Sequence, residues 1–320
     1  MSSTKPSSDP GSGLSRRTLL GSALVAPVLA ACGAASGSGA TVSNRSSAGT
    51  AGSMNTASAR PGDPIRIPYG SDPSQFGELH LPTGTRRPGT AVVIHGGFWR
   101  AAYGLDLGTP LAADLAARGW VAWNLEYRRV GDGGGWSATF DDIAAGIDAL
   151  AGIASSGAHG ALDLARVVAI GHSAGGHLAT WAAARPALGS GSPMDFAAGS
   201  VALTGVVSQA GVLDLEKAVR GGVGGTAVQD LLGGEPGDVA DRYRIADPTR
   251  QLPLGIPVHC VHGDQDGNVP LDQSVDYVAA ATAAGDTAVL HEIQGDHFAL
   301  IDVGSPAWTT VVELLPSLLS

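Results

Sequence analysis

The stretch RVVAIGHSAGGHLA, residues 166–179, decides the prediction of the fold. Residues 166–170 are a short run rich in β-branched side chains, which is typical of a strand buried on both faces. The residues after 175 have apolar side chains at helical spacing, and Pro186 ends that helix. Between them lies GHSAG, residues 171–175. The sequence therefore predicts a strand, a sharp turn and a helix.

The turn itself could be an ordinary glycine-rich loop, since the chain contains 47 glycines. Its flanking strand and helix favour a different interpretation. Gly171 and Gly175 have no Cβ, so the strand and the helix can approach closely while Ser173 is held in a strained conformation with its hydroxyl projecting outward. Ser173 is therefore the candidate nucleophile.

Two later motifs supply the other groups that a nucleophilic serine needs. HGDQD at residues 262–266 and GDHF at residues 295–298 each follow an apolar run. We predict that His297 is the general base and that Asp266 orients it. The chain order serine, acid, histidine is that of the α/β-hydrolase fold.

Other residues in these motifs are alternatives. Asp264 and Asp296 are rival acids, but Asp266 occupies the position after the loop apex, and Asp296 adjoins the histidine along the chain. Structural hydrogen bonding is the expected role of three other histidines in or beside the motifs, His95, His172 and His262.

A fourth motif, HGGFW at residues 95–99, follows the apolar run at residues 90–94. A glycine pair just beyond a strand can turn backbone N–H groups toward a pocket, where they stabilise the oxyanion of a tetrahedral intermediate. We predict Gly97, Phe98 and Ala174 as the donors.

Aromatic residues near these motifs are candidates for an apolar substrate pocket. We name Trp99, Trp136 and Phe298, with ordinary packing under loops as the alternative. The expected substrate is a small to medium ester.

Eight predicted strands alternate with helices in most of the chain, which indicates a mostly parallel sheet with helices on both faces. The first two strands, at residues 65–69 and 78–81, should form an antiparallel edge. The others are expected at residues 90–94, 120–126, 166–170, 201–209, 257–261 and 287–293. The glycine-rich segment 211–254 is the candidate for a small cap.

The first 31 residues resemble a twin-arginine lipoprotein signal peptide, with Arg16 and Arg17 before a short apolar segment. The segment ends in LAAC, which resembles a bacterial lipobox and implies cleavage before Cys32 and lipidation of its thiol. Residues 32–62, rich in Ser, Gly and Ala, are expected to form a flexible tether. Residues 63–320 are then the catalytic domain.

Composition limits the partners. The formal net charge is −10 at pH 7, which disfavours nucleic acid and anionic surfaces. The predicted membrane contact is the lipid anchor alone, on the outer face of the cytoplasmic membrane. Cys260 should be a buried free thiol. No cofactor or metal site is predicted, and the sequence carries no signal for the oligomeric state.

HGGFW, EYRR (residues 126–129), GHSAGGHLA, HGDQD and DHF together resemble the esterase branch of the α/β-hydrolase superfamily that includes kynurenine formamidases and bacterial feruloyl or acetyl esterases. The resemblance covers residues 63–320 and implies a serine esterase. Arylformamidase activity is one alternative. Its substrate, formylkynurenine, is an intracellular metabolite, however, whereas this chain is expected to be exported. A catalytically inactive hydrolase fold that binds at the cell envelope is another.

Overall fold

The computed structural model describes residues 62–160, 162–188 and 195–319. Residues 1–61, which contain the predicted signal peptide, Cys32 and nearly all of the predicted tether, lie outside the described residues. Among the helices that the structure describes, none has the length and apolar character needed to cross a membrane.

A single eight-stranded sheet forms the centre of the fold, with the order β1-β2-β4-β3-β5-β6-β7-β8. The strands from β4 onward in this order run parallel to one another, whereas β2 is antiparallel to both β1 and β4. The predicted eight-stranded sheet and its antiparallel edge are thus confirmed. The strands are β1 (Ile65–Pro68), β2 (Phe76–His80), β3 (Thr90–Ile94), β4 (Val121–Leu125), β5 (Val167–His172), β6 (Gly205–Gln209), β7 (Val258–Gly263) and β8 (Ala288–Ile293).

Helices cover both faces of the sheet, and each face has its own apolar core. Successive residues of β3 alternate between the two cores: Val92 belongs to one and Val93 to the other. This alternation explains why β3, β4, β5 and β6 are buried along their whole length. The helices are α1 (Thr109–Ala117), α2 (Ala138–Ser156), α3 (Ala174–Ala183), α4 (Leu215–Gly221), α5 (Ala227–Leu232), α6 (Ala240–Ala246), α7 (Asp272–Ala283) and α8 (Pro306–Leu318).

The strand expected at residues 201–209 begins only at Gly205. Just before it, the Thr204 N–H still donates to the Val167 carbonyl of β5 at 2.7 Å. Further back, the Val201 N–H and the Ser200 hydroxyl both donate to the Asp148 carboxylate, at 2.9 and 3.0 Å. Asp148 also forms a salt bridge with the buried Arg185, at 2.7 Å. A side-chain network thus holds the beginning of the expected strand, at residues 200 and 201.

The candidate cap, residues 211–254, forms the short helices α4, α5 and α6 after β6. Its beginning is anchored to the body of the domain, since the N–H groups of Leu213 and Asp214 both donate to Gln273 Oε1 at 2.8 Å. Leu213 is fully buried. This segment lies beside the loop that follows β3, where the Arg100 guanidinium donates to the Gly224 carbonyl at 3.1 Å.

Candidate active site

Ser173 lies at the junction of β5 and α3 in a left-handed conformation, with φ 56° and ψ −119°. Such a conformation is costly for a residue with a Cβ and persists only where the surroundings impose it. One constraint is the Ser173 N–H, which donates to the Gln209 carbonyl at the end of β6, 2.8 Å away. The sharp turn predicted for the GHSAG motif is present.

The two glycines of the motif are required by close backbone contacts. A Cβ added to Gly171 would lie 2.1 Å from the Gly175 carbonyl oxygen, and one added to Gly175 would lie 2.1 Å from the Ile94 carbonyl oxygen. No side chain fits at either position. The first turn of α3 therefore packs with its backbone directly against the ends of β5 and β3.

The candidate acid and base come from the loops after β7 and β8. His297 Nδ1 lies 2.6 Å from Asp266 Oδ2, and His297 is 3% exposed. This contact fixes the ring tautomer, because a proton on Nδ1 is shared with the carboxylate. Nε2 is then the nitrogen that can accept the proton of Ser173, whose side chain lines the same cavity as His297.

Asp266 is held in its charged form. Burial raises the pKa of its carboxyl, but hydrogen bonds from His262, His297 and the Val269 N–H outweigh this effect and hold the pKa well below its usual value. His262 Nε2 lies 3.0 Å from the Val269 carbonyl and 3.3 Å from Asp266 Oδ2, and its Nδ1 lies 2.8 Å from the Ser274 hydroxyl. His262 thus has a structural role, and that role is to support the candidate acid.

The two rival acids have other partners. Asp264 accepts the Gly295 N–H at 3.0 Å, and Asp296 accepts the N–H groups of Phe298 and Ala299, each at 3.0 Å. Both carboxylates are exposed. They shape the loops on either side of His297, whereas its Nδ1 bonds to Asp266.

The candidate oxyanion donors lie on a strained loop and at a helix start. Gly97, Phe98 and Trp99 have φ values of 109°, 53° and 56°, three consecutive residues in the left-handed region. Ala174 is the first residue of α3, so its N–H has no intrahelical acceptor. Gly97, Phe98 and Ser173 line one cavity. This arrangement suits stabilisation of an oxyanion.

The cavity has a volume of about 70 Å³ and a mostly apolar wall. Phe298 is 57% exposed at this wall, as expected for a side chain that meets substrate rather than core. Tyr103, Leu107 and Ile301 were not anticipated from the sequence, because each lies several residues beyond a motif. The lining residues are Gly97, Phe98, Tyr103, Leu107, His172, Ser173, Asn268, His297, Phe298 and Ile301.

Two of the predicted pocket residues lie elsewhere. Trp99 is 1% exposed and packs edge-on against His177, with ring centroids 5.2 Å apart. Trp136 packs against Phe140 at the same centroid distance. Both tryptophans contact the core cluster under the loops, which was the alternative stated for them.

The family model BD-FAE matches residues 78–280, which is more than half of the chain. The chain belongs to the BD-FAE family. This family consists of carbohydrate and feruloyl esterases, so the protein is a carboxylic ester hydrolase. A search of curated proteins found no significant match.

Three solved structures of esterases have a similar fold. A truncated carbohydrate esterase from gut microbiota is 21% identical, with a TM-score of 0.66, and the alignment covers 79% of this chain and 94% of that one. Esterase 2 of the planctomycete Thermogutta terrifontis is 22% identical, with a TM-score of 0.63 and coverage of 80% and 91%. Esterase B of Lactobacillus rhamnosus is 22% identical, with a TM-score of 0.67 and coverage of 79% and 83%.

The BD-FAE match includes Ser173, Asp266 and the HGGFW motif but ends before His297. Assignment of the base therefore depends on the geometry of the fold. The 2.6 Å contact between Asp266 and His297 joins the matched region to the final loop of the esterase domain.

Next to the loop of the candidate oxyanion donors, residues 97–99, Glu126 of this BD-FAE protein forms a buried hub of hydrogen bonds. Its Oε1 lies 3.0 Å from His95 Nε2 and 2.5 Å from Arg129 Nη1, and its Oε2 accepts the Leu105 N–H at 2.9 Å. Burial raises the Glu126 pKa, but hydrogen bonds and charge from His95, with backbone bonds from Leu105 and Tyr127, lower it to about 2. Arg129 also donates to the Tyr103 carbonyl at 3.0 Å, so it braces the loops on either side of Glu126.

His172, next to the nucleophile, is kept neutral. Burial and the neighbouring His297 lower its pKa to about 3. Its Nε2 donates to the His297 carbonyl at 3.0 Å, and the two rings lie 4.5 Å apart. This contact helps to place the loop of the candidate base next to the strand that carries Ser173.

Proposed function

We propose that this BD-FAE esterase hydrolyses esters of short carboxylic acids through an acyl-enzyme on Ser173. The observation that carries the proposal is the convergence of Ser173, the His297–Asp266 pair and the Gly97–Phe98 loop on one small apolar cavity. Each group matches one requirement of acyl transfer: a nucleophile, a base with a fixed tautomer and a preorganised oxyanion site.

The proposed reaction has two halves. Ser173 Oγ attacks the ester carbonyl while His297 Nε2 takes the hydroxyl proton, and Asp266 stabilises the resulting imidazolium. Backbone N–H groups of the Gly97–Phe98 loop and of Ala174 stabilise the oxyanion. The C–O bond to the alcohol then breaks, and His297 returns its proton to the leaving oxygen. Water hydrolyses the acyl-enzyme by the same route.

The cavity size supports a short acyl group. One water needs about 10–15 Å³ of such volume, so about 70 Å³ admits roughly five to seven groups of that size. An acetyl to butyryl chain fits this space. Structures of the Thermogutta terrifontis esterase with propionate and with butyrate bound are among the similar structures, at 23% and 20% identity.

Hydrolysis of a p-nitrophenyl ester series from acetate to decanoate tests the proposal. We expect kcat/KM to be highest between acetate and butyrate and to fall by at least about tenfold at octanoate, because a longer chain exceeds the cavity. N-formylkynurenine is measured alongside. Preference for that formamide would replace the proposal with arylformamidase activity, and turnover that rises to decanoate would refute the size argument.

We further propose that the esterase works outside the cytoplasmic membrane, anchored by lipid at Cys32. The twin-arginine and LAAC sequences of the first 32 residues support this. Labelled palmitate should be incorporated into wild-type protein recovered in the membrane fraction. The Cys32→Ala variant should carry no label. Replacing Arg16 and Arg17 together by Lys should retain the protein inside the cell. Lipid-free wild type in the soluble fraction would contradict the anchor.

A further inference from the structure

The two oxygens of the Asp266 carboxylate are held in different ways. Oδ1 accepts the N–H groups of Asn268 and Val269, each at 2.8 Å, and both donors belong to the same loop as Asp266. Oδ2 lies 2.6 Å from His297 Nδ1 and 3.3 Å from His262 Nε2. The bonds to Oδ1 orient the carboxylate within its loop. The position of Oδ2 against the base also depends on what holds this loop to the rest of the fold.

His262 joins the returning half of the loop to the sheet. The N–H groups of Asp264 and Gln265 bond the beginning of the loop to the end of β8 and to the segment that follows it. The returning half contacts the ring of His262, a fully buried residue of β7, whose Nε2 lies 3.0 Å from the Val269 carbonyl. Because a carbonyl oxygen can only accept, Nε2 carries the proton. The same N–H group is therefore the one that faces Asp266 Oδ2.

The other side of the His262 ring is held by a serine. Ser274 lies in the first turn of α7 and is 0% exposed, and its hydroxyl lies 2.8 Å from His262 Nδ1. In a neutral ring with its proton on Nε2, Nδ1 is an acceptor, so the Ser274 hydroxyl donates to it. The adjacent Gln273 bonds the same turn to the beginning of the cap segment. The serine is thus fixed in place, and it fixes both the orientation and the tautomer of the ring.

Ser274, His262 and Asp266 are of the same residue types as the candidate triad, but their burial excludes a second active site. Ser173 lines a cavity, whereas Ser274 and His262 are 0% exposed, so substrate does not reach this second hydroxyl. Asp266 therefore accepts hydrogen bonds from two histidines with different roles. His297 faces the cavity and can exchange a proton there, and His262 holds the carboxylate from behind.

We propose that Ser274 and His262 form a positioning pair, which holds the Asp266 carboxylate against the base during the reaction. The proposal rests on the proposed function, because it requires His297 to be the base. His297 exchanges a proton in both halves of the reaction, so a displaced carboxylate slows acylation and deacylation together. Loss of the pair should then lower kcat while KM changes by less than about twofold.

Two substitutions of His262 separate positioning from packing. The Asn side chain reaches the position of Nδ1, so His262→Asn keeps a partner for Ser274 but leaves the position of Nε2 empty. The longer Gln side chain can place an N–H group near the position of Nε2. We expect His262→Asn to lower kcat by about 10- to 100-fold, the loss typical of a reacting group misplaced by about 1 Å. His262→Gln should retain a kcat at least about fivefold higher than that of His262→Asn.

Two further variants complete the set. His259→Asn is the matched control, because His259 lies in the same strand and its Nδ1 contacts His291 Nε2, 2.8 Å away, instead of the acid loop. This control should keep the wild-type kcat. Ser274→Ala is the second test of the pair, since loss of one buried hydroxyl disturbs the fold less than loss of a ring. It should lower kcat by about three- to tenfold, as expected for one lost hydrogen bond.

Steady-state kinetics with p-nitrophenyl acetate give kcat and KM for each variant, expressed per folded protein from its urea-unfolding curve. A wild-type kcat in both His262→Asn and Ser274→Ala would overturn the proposal. A loss confined to KM would also overturn it, and so would a His262→Gln variant no faster than His262→Asn, because the ring would then serve packing alone. Wild-type protein without ester turnover would instead refute the proposed function, and the role of the pair with it.

Discussion

Replacing Glu126 by Gln should destabilise the domain in a pH-dependent way. The substitution keeps the shape of the side chain but removes the charge that contacts His95 and Arg129. The pKa of Glu126 is about 2, compared with the ordinary 4.5, and this difference corresponds to about 3 kcal/mol of stabilisation at neutral pH. The variant also leaves Arg129 buried without its closest counter-charge, so about 3 kcal/mol is the expected minimum loss.

The sign of the pH dependence follows from the lowered pKa. The contribution of Glu126 is fully present above about pH 5, where the unfolded chain has a charged carboxylate, and is lost as the pH falls toward 2. The difference between wild type and variant should therefore be about half as large at pH 3 as at pH 7.

Urea unfolding of wild type and Glu126→Gln at both pH values measures these free energies. For a domain of this size, 3 kcal/mol corresponds to a fall in Tm of about 6–12 °C. Glu313→Gln, at an exposed position of α8, is the control and should change stability by less than about 0.5 kcal/mol. A loss below about 1 kcal/mol at pH 7, or an equal loss at both pH values, would refute the role assigned to this buried hub.

Three further predictions concern the candidate active site and the packing of the sheet and helices around it. Asp266→Asn should lower kcat by about three to four powers of ten, because the tautomer of the His297 imidazole is no longer enforced. Asp264→Asn is the control and should leave kcat nearly unchanged. Steady-state kinetics of the two variants measure this difference. Gly175→Ala should give unfolded or insoluble protein because its Cβ would contact a carbonyl oxygen at 2.1 Å, while Gly152→Ala should stabilise α2 by about 0.4–1 kcal/mol; soluble Gly175→Ala with wild-type Tm would contradict this contact. Burial raises the Cys260 pKa to about 12, so iodoacetamide at about pH 8 should label this thiol only after unfolding, as peptide mapping can determine.

Local sequence was sufficient for the features that depend on short-range constraints. The strand, turn and helix around Ser173 were predictable because two glycines must allow a close backbone contact that no other residue permits. The antiparallel edge and the parallel sheet followed from the order of apolar runs. The free, buried Cys260 followed from its place inside a strand.

Features that depend on tertiary contacts were harder to predict. Phe98 and Trp99 are adjacent and both have positive φ, yet Phe98 lines the cavity and Trp99 lies in the core. In this loop two adjacent side chains therefore point to opposite sides, and the sequence has no periodic pattern from which this difference could be predicted. The contact between His262 and Asp266 likewise depends on tertiary structure, because the loop after β7 folds back toward the end of that strand.

Trapping the acyl-enzyme tests directly whether Ser173 is the nucleophile. Wild-type protein is mixed with p-nitrophenyl acetate, quenched in acid within the first turnovers and digested for mass spectrometry, with Ser173→Ala treated in parallel. In wild type we expect one acetyl group on the peptide that contains Ser173. In the variant we expect neither this adduct nor ester turnover. Acetylation of another residue, or undiminished turnover by Ser173→Ala, would contradict this role of Ser173.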